Sequence, residues 1–190
     1  MHPTFDSNPR QVFATELLLR AQPVRALLLD VDGVLTPGDL VVGADGEQVK
    51  RFCTLDGHGL KMLQGCGIAA VVLSGRDSAP LRARLDELGL TRHAVLGRTR
   101  KLPGAQSALD ALGLDWGQVA AIGDDWPDLP LLARAQLAAC PPGAHPEVRA
   151  RAHLCTRAAA GAGAVRELCD LLLSAHGRYP EMLAQALAGD

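Results

Sequence analysis

The sequence predicts an α/β protein built on a doubly wound parallel sheet, and three observations predict it. Short, continuously apolar runs recur as VRALLLD (24–30), IAAVVLSG (68–75), HAVLG (93–97) and VAAIGDD (119–125), with a weaker run at AQLAAC (135–140). Continuous rather than alternating hydrophobicity marks strands buried on both faces. Segments of helical period separate these runs, at 57–65, 78–88, 103–112 and 127–134, so strands and helices alternate as right-handed βαβ units. Polar and acidic residues gather where the runs end, at Asp30, Ser74 and Asp124, which is the sheet edge where open parallel sheets bind ligands.

In chain order, residues 11–21 (QVFATELLLRA) fit a short amphipathic helix ahead of the first strand. Residues 38–52 (GDLVVGADGEQVKRF) then break the alternation. Two β-prone arms, Asp39–Val42 and Glu47–Phe52, flank Ala44-Asp45-Gly46, and Asp-Gly between such arms signals a hairpin. It falls where a doubly wound sheet would pass directly into a helix, so it is an insertion. The Gly/Pro-rich stretch PPGAHP (141–146) reads as a loop. Residues 163–176 (GAVRELCDLLLSAH) form a helix with an apolar stripe at Val165, Leu168, Leu172 and Leu173. The tail beyond Arg178 is apolar and helical in pattern, and either frames a neighbour's site or packs locally.

At 190 residues the chain suits a single domain. Aromatics make up 3% of it, too few for a platform that stacks single-stranded nucleic acid. Nineteen basic residues against 21 acidic ones give a net charge of −2, which offers no global attraction to polyphosphates or anionic membranes. The five cysteines, Cys53, Cys66, Cys140, Cys155 and Cys169, are odd in number with no CxxC pair. They read as buried thiols in a reducing compartment rather than a disulfide framework or zinc site. No run is long enough to span a membrane. Residues 1–22 lack the basic-then-apolar order of a secretory signal, so the expected location is the cytoplasm.

The chemistry is concentrated at the strand ends. Asp30 and Asp32 stand at i and i+2 just past the first apolar run. One can attack phosphorus as a nucleophile and the other can move protons to the leaving oxygen and from water. Gly33 permits the tight turn between them and the next segment. An isolated DxD also fits an acidic turn capping a strand, and three further strand ends weigh against that. Ser74-Gly75-Arg76 offers a hydroxyl and backbone N–H groups to a phosphoryl oxygen. Lys101 lies between a strand and a helix, where its ammonium can neutralise phosphate charge. Gly123-Asp124-Asp125 with Asp128 supplies hard oxygen ligands of the kind Mg²⁺ takes. His58 and His93 read as solvated or hydrogen-bonded loop residues, because the carboxylates already satisfy such an ion. Trp116 reads as packing, and Trp126 as packing or the border of the mouth.

The ordered set DxDGV, Ser74, Lys101 and GDDxxD resembles the haloacid dehalogenase-like phosphohydrolases over residues 24–140. The resemblance implies that Asp30 is the nucleophile, Asp32 the acid–base residue, and Ser74, Gly75 and Lys101 the phosphate-binding residues. It implies Mg²⁺ held by Asp30, the main-chain carbonyl of Asp32, and Asp124, with Asp125 or Asp128 in support. Neither the interval from Asp30 to Ser74 nor that from Ser74 to Lys101 has room for a cap domain, so the site of a capless enzyme is expected to be open.

A finer pattern resembles the 3-deoxy-D-manno-octulosonate 8-phosphate phosphatases over residues 24–178. It comprises the hairpin, FCTLDGHGLKML (52–63), SGR (74–76), GDDWPDLPLL (123–132), AHPEVRARA (144–152) and GAVRELCDLLL (163–173). That resemblance implies a sugar-phosphate substrate and a homotetramer whose hairpins assemble into a central barrel, while the balanced charge leads us to expect no nucleic-acid or membrane partner. Two positions depart from the family pattern: Leu55 and Ala162 stand where arginines are usual. Arg51, Arg98, Arg100 or Arg157 are the nearby cations able to compensate. A phosphatase for a nonulosonate 9-phosphate or another small phosphate stays open, as does a catalytically silent binding or assembly homologue.

Overall fold

A computed structural model describes residues 11–44 and 46–189. A six-stranded sheet runs in the order β5 (Ala94–Val95), β4 (Ala69–Leu73), β1 (Ala26–Leu29), β6 (Val119–Ile122), β7 (Leu137–Cys140), β8 (Leu154–Cys155), and every neighbouring pair is parallel. The central strand β1 pairs with β4 and β6 in one register, Ala26 opposite Ala69 and Val119 and Leu29 opposite Val72 and Ile122. All four residues of β1, β6 and β7 are buried, as their uninterrupted apolar runs require.

Helices cover both faces. Alternate β1 residues divide between two cores: Leu27 and Leu29 pack under α1 (Thr15–Ala21), α2 (Thr54–Gly65), α3 (Ala79–Glu87) and α7 (Ala164–Ala175). Ala26 and Leu28 pack under α4 (Lys101–Leu112) and α5 (Leu129–Leu132). The apolar stripe of α7 is wholly buried. The tail forms α8 (Tyr179–Ala188), whose Tyr179 and Met182 lie against the first core, so within this chain it packs locally.

The hairpin is a separate two-stranded sheet, β2 (Val41–Gly43) antiparallel to β3 (Gly46–Val49). Asp45, part of the Asp-Gly turn signal, lies outside the described residues. The arms are shorter than the sequence suggests. Phe52 falls beyond β3, packs against the first core and lies under the Arg84 guanidinium. Leu40, Val41, Val42 and Val49 stay exposed. Past α2 the chain returns to the sheet at β4, and the β4-to-α4 interval holds only α3, a 3₁₀ turn (Thr91–His93) and β5, so neither interval carries a cap domain among the described residues.

Three readings need correction. The helix expected over 127–134 is a 3₁₀ turn, Trp126–Asp128, followed by the single turn of α5. The loop at 141–146 ends in a short helix, α6 (Pro146–Arg149), which leads into β8; that two-residue strand was not foreseen. The cysteines are all free, but only Cys140 and Cys169 are buried, and Cys155 is exposed.

Candidate active site

The carboxyl ends of β1, β4 and β6 and the first turn of α4 meet at an open cavity of about 340 Å³. Asp30, Asp32, Gly75, Arg76, Thr99, Lys101, Asp124, Asp125, Pro127 and Asp128 line it. Asp30 continues the β1 ladder, its N–H donating to the Ile122 carbonyl at 3.2 Å. The chain then turns sharply. Val34 and Thr36 N–H groups both donate to the Val31 carbonyl, and Val31, Val34 and Leu35 bury themselves in the core. Asp30 and Asp32 are thereby left at the cavity. Gly33 makes the turn at φ +88°, and a Cβ there would lie 2.1 Å from Asp124 Oδ2. Only glycine lets the β1 turn and the β6 carboxylate share this space.

Asp30, Asp124 and Asp128 bring one carboxylate oxygen each within 4.8 Å of one another. Lys101, the first residue of α4 rather than a loop residue, inserts its ammonium between two of them. Its Nζ lies 2.7 Å from Asp30 Oδ1 and 2.6 Å from Asp128 Oδ1. Asp128 serves several neighbours, because its Oδ2 also accepts from the N–H groups of Asp124 at 3.1 Å and Asp125 at 3.4 Å. Gly123 makes room for this, since a Cβ there would collide with the Asp128 side chain.

The electrostatics follow from burial. Desolvation, reinforced by the Asp128 charge, pushes the Asp30 carboxyl up to about 6 despite the nearby Lys101 ammonium. Desolvation, then Asp30 and Asp128, push Asp124 up to about 7. Burial pulls Lys101 down, but the Asp128 and Asp30 carboxylates outweigh it and hold the ammonium above its ordinary value. Three carboxylates against one ammonium leave a deficit of two positive charges in a site of hard oxygen donors. That donor set fits a divalent cation such as Mg²⁺.

Asp32 is arranged differently. Its carboxylate is partly exposed and turns away from this cluster, toward Lys50 at the end of the hairpin. Its carboxylate is not among the three clustered ones, so any metal contact from Asp32 would have to come from its main-chain carbonyl. Ser74 is buried at the end of β4. Its N–H donates to Val95 and its Oγ accepts from the Arg76 N–H at 3.1 Å, which leaves the hydroxyl hydrogen for another acceptor. Gly75 and Arg76 extend that turn into the cavity.

Of the compensating cations foreseen, Arg51, Arg98, Arg100 and Arg157 all lie off the cavity lining. Arg98 and Arg100 line an adjoining groove of about 560 Å³ that shares Thr99 with it. Arg157 reaches toward Glu167. Arg76 is the lining arginine. Trp126 is exposed beside Asp125 and donates through Nε1 to His145. The imidazoles of His58 and His93 belong to neither the carboxylate cluster nor the lining.

Sequence reasoning missed Lys50 and also Asp56. The Asp56 carboxylate, almost wholly buried, accepts from Gly163 N–H and Arg166 N–H and so ties α2 to the start of α7. The 160–163 run in turn abuts the turn after β1, with Gly161 N–H donating to the Val34 carbonyl. An acidic residue in the first turn of α2 was the available signal.

No protein-family model matches the chain. The Escherichia coli K12 3-deoxy-D-manno-octulosonate 8-phosphate phosphatase KdsC is 36% identical over 174 residues, 92% of this chain and 92% of its own. The crystal structure of the Moraxella catarrhalis 3-deoxy-D-manno-octulosonate 8-phosphate phosphatase, in complex with magnesium ion, phosphate ion and KDO, superposes with a TM-score of 0.87. It is 32% identical, over 91% of this chain and 99% of that one. The cobalt-bound Haemophilus influenzae enzyme gives a TM-score of 0.81 at 36% identity, over 84% and 93%. By sequence over nearly its whole length and by fold, the chain belongs to the 3-deoxy-D-manno-octulosonate 8-phosphate phosphatase family of haloacid dehalogenase-like hydrolases.

Proposed function

We propose that the chain is one phosphatase domain that hydrolyses 3-deoxy-D-manno-octulosonate 8-phosphate to the free sugar acid and phosphate, through an aspartyl-phosphate on Asp30. The observation that carries this reading is the convergence of Asp30, Asp124, Asp128 and Lys101 on one sheet edge, with Asp32 two residues from Asp30. Its relatives' names and the sugar acid and phosphate bound in the Moraxella structure support the choice of substrate. Asp30, Asp124 and the Asp32 main-chain carbonyl would hold Mg²⁺, which when bound neutralises phosphoryl charge.

The chain's own residues divide the remaining work. Asp30 forms a bond to phosphorus while the bond from phosphorus to the sugar oxygen breaks, and Asp32 gives that oxygen a proton. Asp32 then takes a proton from the water that hydrolyses the acyl phosphate. Lys101 and the Ser74–Gly75 turn hold the phosphoryl oxygens, and Lys101 also keeps Asp30 in place at 2.7 Å. Asp128 anchors both Lys101 and the Asp124–Asp125 backbone.

The site is open and, among the described residues, uncapped. The hairpin leaves Leu40, Val41, Val42 and Val49 exposed on a two-stranded sheet, which is marginal alone in water. Pairing of hairpins among four copies would bury these residues and shield the sites, so the assembly we propose is a homotetramer. A cytoplasmic location accords with five free cysteines and with the absence, among the described residues, of any helix long and apolar enough to cross a membrane. A panel of sugar phosphates tests the substrate. The highest kcat/KM is expected for 3-deoxy-D-manno-octulosonate 8-phosphate, and a clear preference for a nonulosonate 9-phosphate or a simple hexose phosphate would overturn that choice.

A further inference from the structure

Lys50 occupies an unusual position for a residue next to an exposed hairpin. It directly follows β3, whose Val49 is largely exposed, yet its own side chain is 1% exposed. Its ammonium lies against two carboxylates, Asp32 Oδ1 at 2.5 Å and Glu47 Oε1 at 2.5 Å. It donates a hydrogen bond to Asp32, whereas the Glu47 contact is ionic without a directed hydrogen bond. A long cationic side chain gives up rotamer freedom and hydration to be held this way. The contact also joins segments 18 residues apart in sequence.

The result is that the two oxygens of Asp32 differ. Oδ1 takes the Lys50 ammonium and the distant Thr36 hydroxyl at 3.5 Å. Oδ2 is free of Lys50 and has the guanidinium of Arg76, a residue that lines the cavity, 3.9 Å away. We propose that Lys50 is a positioning residue for phosphoryl transfer: from the base of the hairpin it fixes Asp32 Oδ1, so that Oδ2 is the oxygen that hands its proton to the departing sugar oxygen. This inference rests on the phosphatase reading and deepens it. As the bond from Asp30 to phosphorus forms and the bond from phosphorus to oxygen breaks, the Oδ2 proton goes to the leaving oxygen, which departs as the alcohol. The hairpin is then part of the site within its own chain, apart from any role in assembly.

A positioned acid matters only where the leaving group needs a proton. A sugar alkoxide needs one, whereas p-nitrophenolate leaves as a stable anion. The test compares kcat/KM, which covers phosphoryl transfer to Asp30, for 3-deoxy-D-manno-octulosonate 8-phosphate and p-nitrophenyl phosphate in wild type and Lys50→Met. General-acid contributions are about 10²–10⁴-fold, so the variant is expected to lose roughly 100-fold on the sugar phosphate and less than about 3-fold on the aryl ester. Lys50→Arg, which keeps a donor to Oδ1, is expected to recover most of the loss. Equal losses on both esters would make Lys50 a purely structural residue and overturn the proposal, as would an unaffected variant. A wild type inert toward both esters would overturn the phosphatase reading itself, and the inference with it. If Lys50→Met does not fold, Lys50→Leu, which also has no donor to Oδ1, carries the same comparison.

Discussion

Replacing Lys101 by Met keeps the side chain's length and burial while deleting its charge. In the wild-type site the Lys101 side chain is 4% exposed and its ammonium contacts Asp30 and Asp128, whose side chains are 10% and 3% exposed. Removing one partner of a buried ion pair costs about 3–5 kcal/mol. The lower end applies, because Asp30 and Asp124 already sit near 6 and 7 and can take up protons to relieve the uncompensated charge. About 3 kcal/mol corresponds to a fall in Tm of roughly 6–12 °C for a chain of this size. The assay is differential scanning calorimetry at pH 8 after chelation, repeated with Mg²⁺. The metal-free variant is expected to melt in that lower range. It is also expected to gain more from Mg²⁺ than wild type does, because a competing cation has gone from among the same carboxylates. An unchanged metal-free Tm, or a smaller gain from Mg²⁺, would refute the idea that Lys101 is the resident counter-charge of a divalent site.

Other perturbations probe the same centre and its surroundings. Metal-free protein should lose stability as pH rises from about 4 to about 7. The reason is that Asp30 and Asp124 titrate above the ordinary carboxylate value of 3.8 when folded, so the native state binds more protons than the unfolded state in that window; Tm measured against pH with and without Mg²⁺ checks this, and Mg²⁺ should flatten the slope. Gly33→Ala places a methyl 2.1 Å from Asp124 Oδ2 at φ +88°, with strain of about 1–2 kcal/mol; titration calorimetry should show weakened Mg²⁺ binding. EDTA should abolish turnover, and excess Ca²⁺ should suppress it, since Ca²⁺ takes more ligands at longer distances; steady-state rates read both. Serine at Val41, Val42 and Val49 together should dissociate the proposed homotetramer and raise KM while leaving the chain folded, as light scattering and kinetics would show.

How much of this was legible in the sequence depended on how local the cause was. β1, β4 and β6 read as strands because burial on both faces leaves uninterrupted apolar runs, and the site residues at their ends followed from that placement. β8 was not legible: Leu154–Cys155 has no run of its own, and pairing with β7 makes it a strand. Asp128 looked interchangeable with Asp125, because only the folded 3₁₀ turn aims its two oxygens at Lys101 and at the backbone of residues 124 and 125. Phe52 looked like hairpin surface, but the chain turns into the core just before it. Lys50 was invisible for a related reason, since its partner Asp32 meets it only after the hairpin folds back over the β1 turn.

The proposed covalent step on Asp30 is open to direct observation. Enzyme with Mg²⁺ is mixed with substrate carrying ³²P in its phosphoryl group, quenched in acid within milliseconds, digested, and the labelled peptide sequenced. The expected result is label on the peptide containing Asp30, absent from Asp30→Asn protein that still folds and binds Mg²⁺. Label on another residue, or an Asp30→Asn enzyme that retains more than a few per cent of wild-type turnover, would contradict Asp30 as the nucleophile.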